Sequence, residues 1–205
     1  METILFVQAL ALGFILAVPP GPLGFLCIRR TLVEGRASGF STGLGVATAD
    51  ALYGCVAGLG LTVVSDFVAG HHRSFGIVAG GLLAVLGIRT FFDKKLPEAA
   101  ADVSAGGLVA AFASSLALTL TNPMTLVSFG FGFAWLGIGE VLGGKLEVFL
   151  LVAGVFVGSL LWWLVLILGA HCFRGRLSGR GVLVMNKIGG VLILAFAVFV
   201  ILADR

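Results

Sequence analysis

The sequence predicts an all-α integral membrane protein of six transmembrane helices, arranged as a 3+3 inverted repeat with helices 1 and 4 broken at proline. Three observations lead there. Of 205 residues, 59% are hydrophobic and 11% charged, at a mean hydropathy of +1.14, against roughly 45–50% apolar and about 25% charged in an ordinary soluble domain. Apolar windows recur at residues 3–28, 39–64, 75–92, 107–135, 148–172 and 182–202, each comparable to the ~20 residues that cross a bilayer. Proline interrupts the first window at Pro19-Pro20-Gly21-Pro22 and the fourth at Thr121-Asn122-Pro123.

The first window lacks a basic leader, and prolines stand where small cleavage-site residues would be needed, so it is expected to remain as a span. Pro19, Pro20 and Pro22 each lack a backbone donor and release the carbonyls of Ile15, Leu16 and Val18. In hydrocarbon such groups are tolerated only where they face protein, water or a ligand. Two half-helices follow, with a negative end near Val18 and a positive end near Leu23. Only about 10 Å of helix separates Pro22 from Ile28. A re-entrant first segment, which would put the N-terminus inside, is therefore the alternative to a full span.

The second window carries Asp50 deep within it. A charge at the bilayer centre costs at least about 2.5–3.5 kcal/mol on insertion scales. Asp50 should therefore face the bundle interior, be paired, or be protonated part of the time, which suits a proton-coupling group. Arg89 and Lys187 lie near span ends and can snorkel. The polar stretch 93–104 divides the chain into half-repeats of about 1–92 and 107–205, joined by a cytoplasmic linker, 93–106, within one transmembrane domain, 1–205. Three spans are an odd number, so the second half enters from the opposite side. In the fourth window Pro123 frees the carbonyl of Thr119, beside Thr121, Asn122 and Thr125. In the fifth, Trp162 and Trp163 point about 100° apart, so at most one lines a cavity.

Ten of the 13 basic residues fall in the 1–2, 3–4 and 5–6 connections: Arg29, Arg30 and Arg36, then Arg89, Lys94 and Lys95, then Arg174, Arg176, Arg180 and Lys187. The positive-inside rule places these connections in the cytoplasm and both termini outside, in a multi-pass protein of the cell inner membrane. The net charge of +3 is thus topological and implies no nucleic-acid partner. GxxxG spacings at Gly39/Gly43, Gly54/Gly58, Gly76/Gly80 and Gly154/Gly158 allow close helix approach within the bundle, a homodimer interface being the alternative. Cys27, Cys55 and Cys172 have no CxxC spacing and read as isolated thiols, with neither metal nor other cofactor expected. No catalytic or ATP-binding motif appears. The chain therefore reads as no enzyme, and its energy would come from an ion gradient. Two matched proline breaks, holding Pro20, Gly21 and Pro22 in one half and Asn122 and Pro123 in the other, suit a small zwitterion bound between helix ends.

The runs AVPPGPLGFLCIRRTLVEGRASGFSTGLGVATADALYG, LTLTNPMTLVSFGFGFAWLG and GSLLWW resemble the lysine exporter family of translocators, over about residues 4–202. That resemblance implies proton-driven export of amino acids or related small solutes from the cytoplasm. It assigns Pro20, Gly21, Pro22, Asn122 and Pro123 to the solute site and Asp50 to the second-span acid. Many members carry Lys directly after the fourth-span Asn-Pro, where this chain has Met124, so Asp50 gains no basic partner there. Export of a metal or other cation, or a non-transporting membrane component, are the alternatives; cysteine spacing and the absence of a Cys/His/carboxylate cluster argue against both.

Overall fold

The first apolar window folds as two helices because its prolines leave no other course. Helix α1, Glu2–Ala17, stops just before Val18, which precedes proline and is therefore disfavoured in the α region. Helix α2, Pro22–Val33, opens with proline at its first turn, where the missing N–H is no loss, after Gly21 in an extended conformation (φ −150°, ψ −178°). The two axes are bent by 82°. The computed structural model describes residues 2–18, 21–58, 72–92, 105–122, 125, 128–129, 132–133, 144–173 and 179–203. Pro20, Pro123 and most of the 93–106 linker lie outside them.

Five further helices follow: α3, Arg36–Gly58; α4, His72–Phe92; α5, Ala105–Leu120; α6, Lys145–Phe173; and α7, Gly179–Ala203. Among the described residues there is no strand. Among the described residues, α6 is the one helix that qualifies by length and composition to cross a membrane, over Lys145–Cys172, and α1 and α2 qualify as a bent pair. Helix α3 is less hydropathic because it carries hydroxyls and an acid, and these turn inward. Thr42 and Thr48 donate to the carbonyls of Ser38 and Leu44 one turn back, at 2.9 and 2.7 Å. The outer surface is the reverse, with Ile4, Val7, Val165, Leu168, Val184 and Val191 all more than half exposed. Polar inside and apolar outside is the pattern of a bundle solvated by lipid.

Helix α6 packs against α1 and α3, α5 packs against α3, and α4 pairs with α7, while α2 touches α3, α6 and α7. The glycine spacings set how closely these helices approach. A side chain at Gly154 or Gly158 would run into the α1 backbone at Phe6 and Leu10, so the α1–α6 contact depends on both. Similarly, Gly45 leaves room for Ser115, whose hydroxyl donates to the Thr42 carbonyl at 2.8 Å and ties α5 to α3.

One expectation is overturned. Arg29 and Arg30, read from the sequence as loop cations, lie in the last turns of α2 with only 6% and 9% of their surface exposed. Arg30 donates to Thr42 Oγ1 (2.9 Å), the Ala111 carbonyl (3.1 Å) and Ser114 Oγ (2.9 Å). Arg29 Nε donates to Asn186 Oδ1 at 2.9 Å, and its guanidinium lies 3.7 Å from Glu34. A buried cation persists only when its donors are matched, and here acceptors from α3, α5 and α7 match them. The helix also runs five residues past Ile28, the edge of the apolar window, before Gly35 (φ 104°) turns the chain directly into α3.

Candidate functional site

Where α2 begins, its axis meets the middle of α3, the end of α5 and the Ser159–Trp163 turn of α6, and the chain encloses a cavity of about 260 Å³. Asp50, from α3, lines it and is 3% exposed. Ser159 Oγ, from α6, donates to Asp50 Oδ2 at 2.6 Å, leaving the carboxyl group further acceptor capacity.

Gly21 and Pro22 line this cavity too. The first hydrogen bond of α2 runs from Phe25 N to the Gly21 carbonyl at 3.1 Å, so the amides of Leu23 and Gly24 precede the helical ladder. Both residues line the cavity. An added Cβ at Gly21 or Gly24 would meet nothing within 4 Å, which leaves this positive helix end uncovered. Trp163, 2% exposed, lines the cavity as well, and its indole Nε1 is buried without a hydrogen-bond partner. An indole N–H is a donor only. Donors and a carboxylate in one cavity suit a ligand carrying both charges.

Asn122, Thr125 and Ser128 supply the remaining polar lining, while Leu16, Val46, Leu118 and Phe129 make the rest apolar. Of the six residues singled out in the sequence, Gly21, Pro22, Asp50 and Asn122 thus border one space, and Pro20 and Pro123 lie outside the described residues. The tryptophans diverge, but each lines a cavity, contrary to the expectation that at most one would: Trp163 borders this one, and Trp162 makes an edge contact with Phe14, ring centroids 5.7 Å apart. Trp162 also lines a second, more apolar cavity of about 490 Å³ on the other side of the α2 start.

The carbonyls at the end of α5 are not open to a solute, contrary to the expectation for Thr119. Tyr53, one turn after Asp50 on α3, places its hydroxyl 3.0 Å from the Thr119 carbonyl and 3.1 Å from that of Leu120, and Asn122 N donates to Thr119 O at 3.1 Å. Tyr53 is the site residue that sequence reasoning missed. Its signal was there: it is the single tyrosine of the chain, on the face of α3 that carries Asp50. Among the described residues, no three His, Cys, Asp or Glu side chains gather as a metal site.

A mostly apolar cavity that holds one acid and the start of a helix, inside a bundle whose outer face is apolar, fits a membrane translocator. The chain belongs to the LysE type translocator family, whose sequence pattern matches residues 14–204, and it is accordingly a membrane transporter and not an enzyme. It is similar to YcgF of Bacillus subtilis (strain 168), whose name assigns it to amino acid efflux, with 27% identity over 95% of this chain and 94% of that protein. It is also similar to the chemotactic transduction protein ChpE of Pseudomonas aeruginosa, with 28% identity over 90% of this chain and 96% of the relative. No solved structure matches it.

Proposed function

We propose that the protein exports amino acids or closely related small zwitterions from the cytoplasm across the cell inner membrane, in exchange for protons. The observation that carries this reading is the single cavity that Asp50 and the start of α2 both line. A solute carboxylate is held by the Leu23 and Gly24 amides, with the Trp163 indole as a further donor, and the ammonium is held by Asp50. Asn122 contributes by its polarity, and Pro20 and Pro123 belong to the same proposed solute site. The efflux function in the name of the Bacillus subtilis relative supports the direction of transport.

Coupling follows from competition for one carboxyl group. Open to the cytoplasm, Asp50 releases its proton and takes the solute ammonium. Open to the outside, it exchanges solute for a proton. Each ligand shifts the alternating-access equilibrium only through its difference in affinity between the two states. The repeat supplies the two states: α1, from the first half, packs on α6 of the second, and α5, from the second, packs on α3 of the first, as an inverted pair would. The six-span topology with outside termini belongs to the same proposal.

The test is uptake of a panel of labelled amino acids into inside-out vesicles, with and without an imposed pH gradient. Accumulation of at least one amino acid that collapses with the gradient is the expected result. Accumulation of metal ions but of no amino acid would overturn it.

A further inference from the structure

The two cavities on either side of the α2 start share Ala17, Gly21, Pro22 and Gly24 in their walls. The larger, of about 490 Å³, is otherwise lined by Val18, Phe25, Ile28, Trp162, Leu166 and Leu192, and none of its lining residues is charged. Gly24 belongs to this shared wall, has no side chain, and an added Cβ there would find open space. Resting on the function proposed above, we infer that the exported solute is a neutral amino acid with a large apolar or aromatic side chain: its charged head occupies the Asp50 cavity, its side chain passes Gly24 into the Trp162 cavity, and Gly24 determines how large that side chain can be.

Charge matching excludes the dibasic class. Among the described residues, Asp50 is the one formal charge lining either cavity. A zwitterionic head uses it completely, with the ammonium at Asp50 and the carboxylate at the α2 amides and the unpartnered Trp163 indole. A second ammonium on the side chain would enter a space walled by Phe25, Ile28 and Leu166 with no counter-charge, and an unpaired buried charge is costly. An apolar side chain gains instead from removing its surface from water, and an aromatic one gains further from stacking against Trp162. The occupant favoured for the second cavity is thus the solute itself, and the competing occupant is a lipid acyl chain.

The experiment measures export of phenylalanine, leucine, alanine and lysine by purified wild-type protein, Gly24→Ala and Gly24→Leu in proteoliposomes. Thermal melting of each variant establishes that it is folded. The expected wild-type result is phenylalanine and leucine transported at least about tenfold faster than lysine, a discrimination within reach of a shaped apolar pocket. The phenylalanine-to-alanine ratio should fall stepwise, a little in Gly24→Ala and by about tenfold in Gly24→Leu, since each added methylene obstructs only the longer side chain. Lysine as the preferred solute overturns the inference. An unchanged phenylalanine-to-alanine ratio in a folded Gly24→Leu variant also overturns it and assigns the second cavity to lipid. If the wild type moves none of the four while a metal salt is moved, amino acid export itself is refuted and the substrate class with it. Should Gly24→Leu not fold, the Gly24→Ala step and the wild-type lysine comparison still decide.

Discussion

Asp50 sits at a point where three demands meet: it is buried, it accepts a hydrogen bond from Ser159, and it lines the cavity. Asparagine at this position keeps an acceptor for Ser159 and nearly the same shape but cannot exchange a proton. In Asp50→Asn, uphill export driven by an imposed pH gradient should vanish while solute exchange at equal pH survives in part, read as flux in proteoliposomes. Accumulation persisting in the variant would return Asp50 to a structural role. Tyr53 makes a second, separable prediction. Its hydroxyl serves the carbonyls of Thr119 and Leu120, and a buried acceptor left unsatisfied costs about 1–3 kcal/mol. Tyr53→Phe should therefore lower the melting temperature in detergent, with solute preference unchanged. An acid deep in an apolar run announces itself in the sequence, because its insertion cost demands a reason. A tyrosine announces less: Tyr53 stands one turn from Asp50 on the same helix face, but the carbonyls it caps lie 66 and 67 residues away.

At the scale of the element, α2 explains both what the sequence disclosed and what it concealed. Its start was legible because proline and glycine act locally, through a fixed φ and a missing donor. Its end was not, because the acceptors that draw Arg29 and Arg30 inward lie on α3, α5 and α7, as much as 157 residues away. Without those partners, two arginines at the edge of an apolar window read as loop cations. With them, the end of α2 is tied to both halves of the chain. Arg30 lies about 12 Å along the helix from Pro22, and there these bonds close α2 against α3, α5 and α7. Cys27, one turn before Arg30 and fully buried, is a native reporter of that closure. In a background lacking Cys55 and Cys172, Arg30→Ala should raise the rate at which Cys27 is alkylated several-fold over the parent. An unchanged rate would show that the guanidinium's bonds do not hold this end shut.

At the scale of the whole molecule, buried arginines alter the argument from charge. The α2–α3 turn keeps Arg36 exposed, whereas Arg29 and Arg30 are committed to internal bonds, so the orientation signal there is weaker than a count of cations suggests. Helix lengths supply an independent argument. The 16 residues of α1 rise about 24 Å, most of the ~30 Å hydrocarbon thickness. Helix α2, bent from it by 82°, need carry the chain only a short way further. A full first span places the N-terminus across the membrane from the α2–α3 turn, and a re-entrant segment places it on the same side. The deciding measurement uses a protein without native cysteines. Glu2→Cys should react with a membrane-impermeant maleimide added to intact cells, as should a cysteine placed at Arg205. Labelling at position 205 with none at position 2 would put the N-terminus in the cytoplasm, reduce the first half to a re-entrant segment and two spans, and remove the odd span count on which the inverted repeat depends.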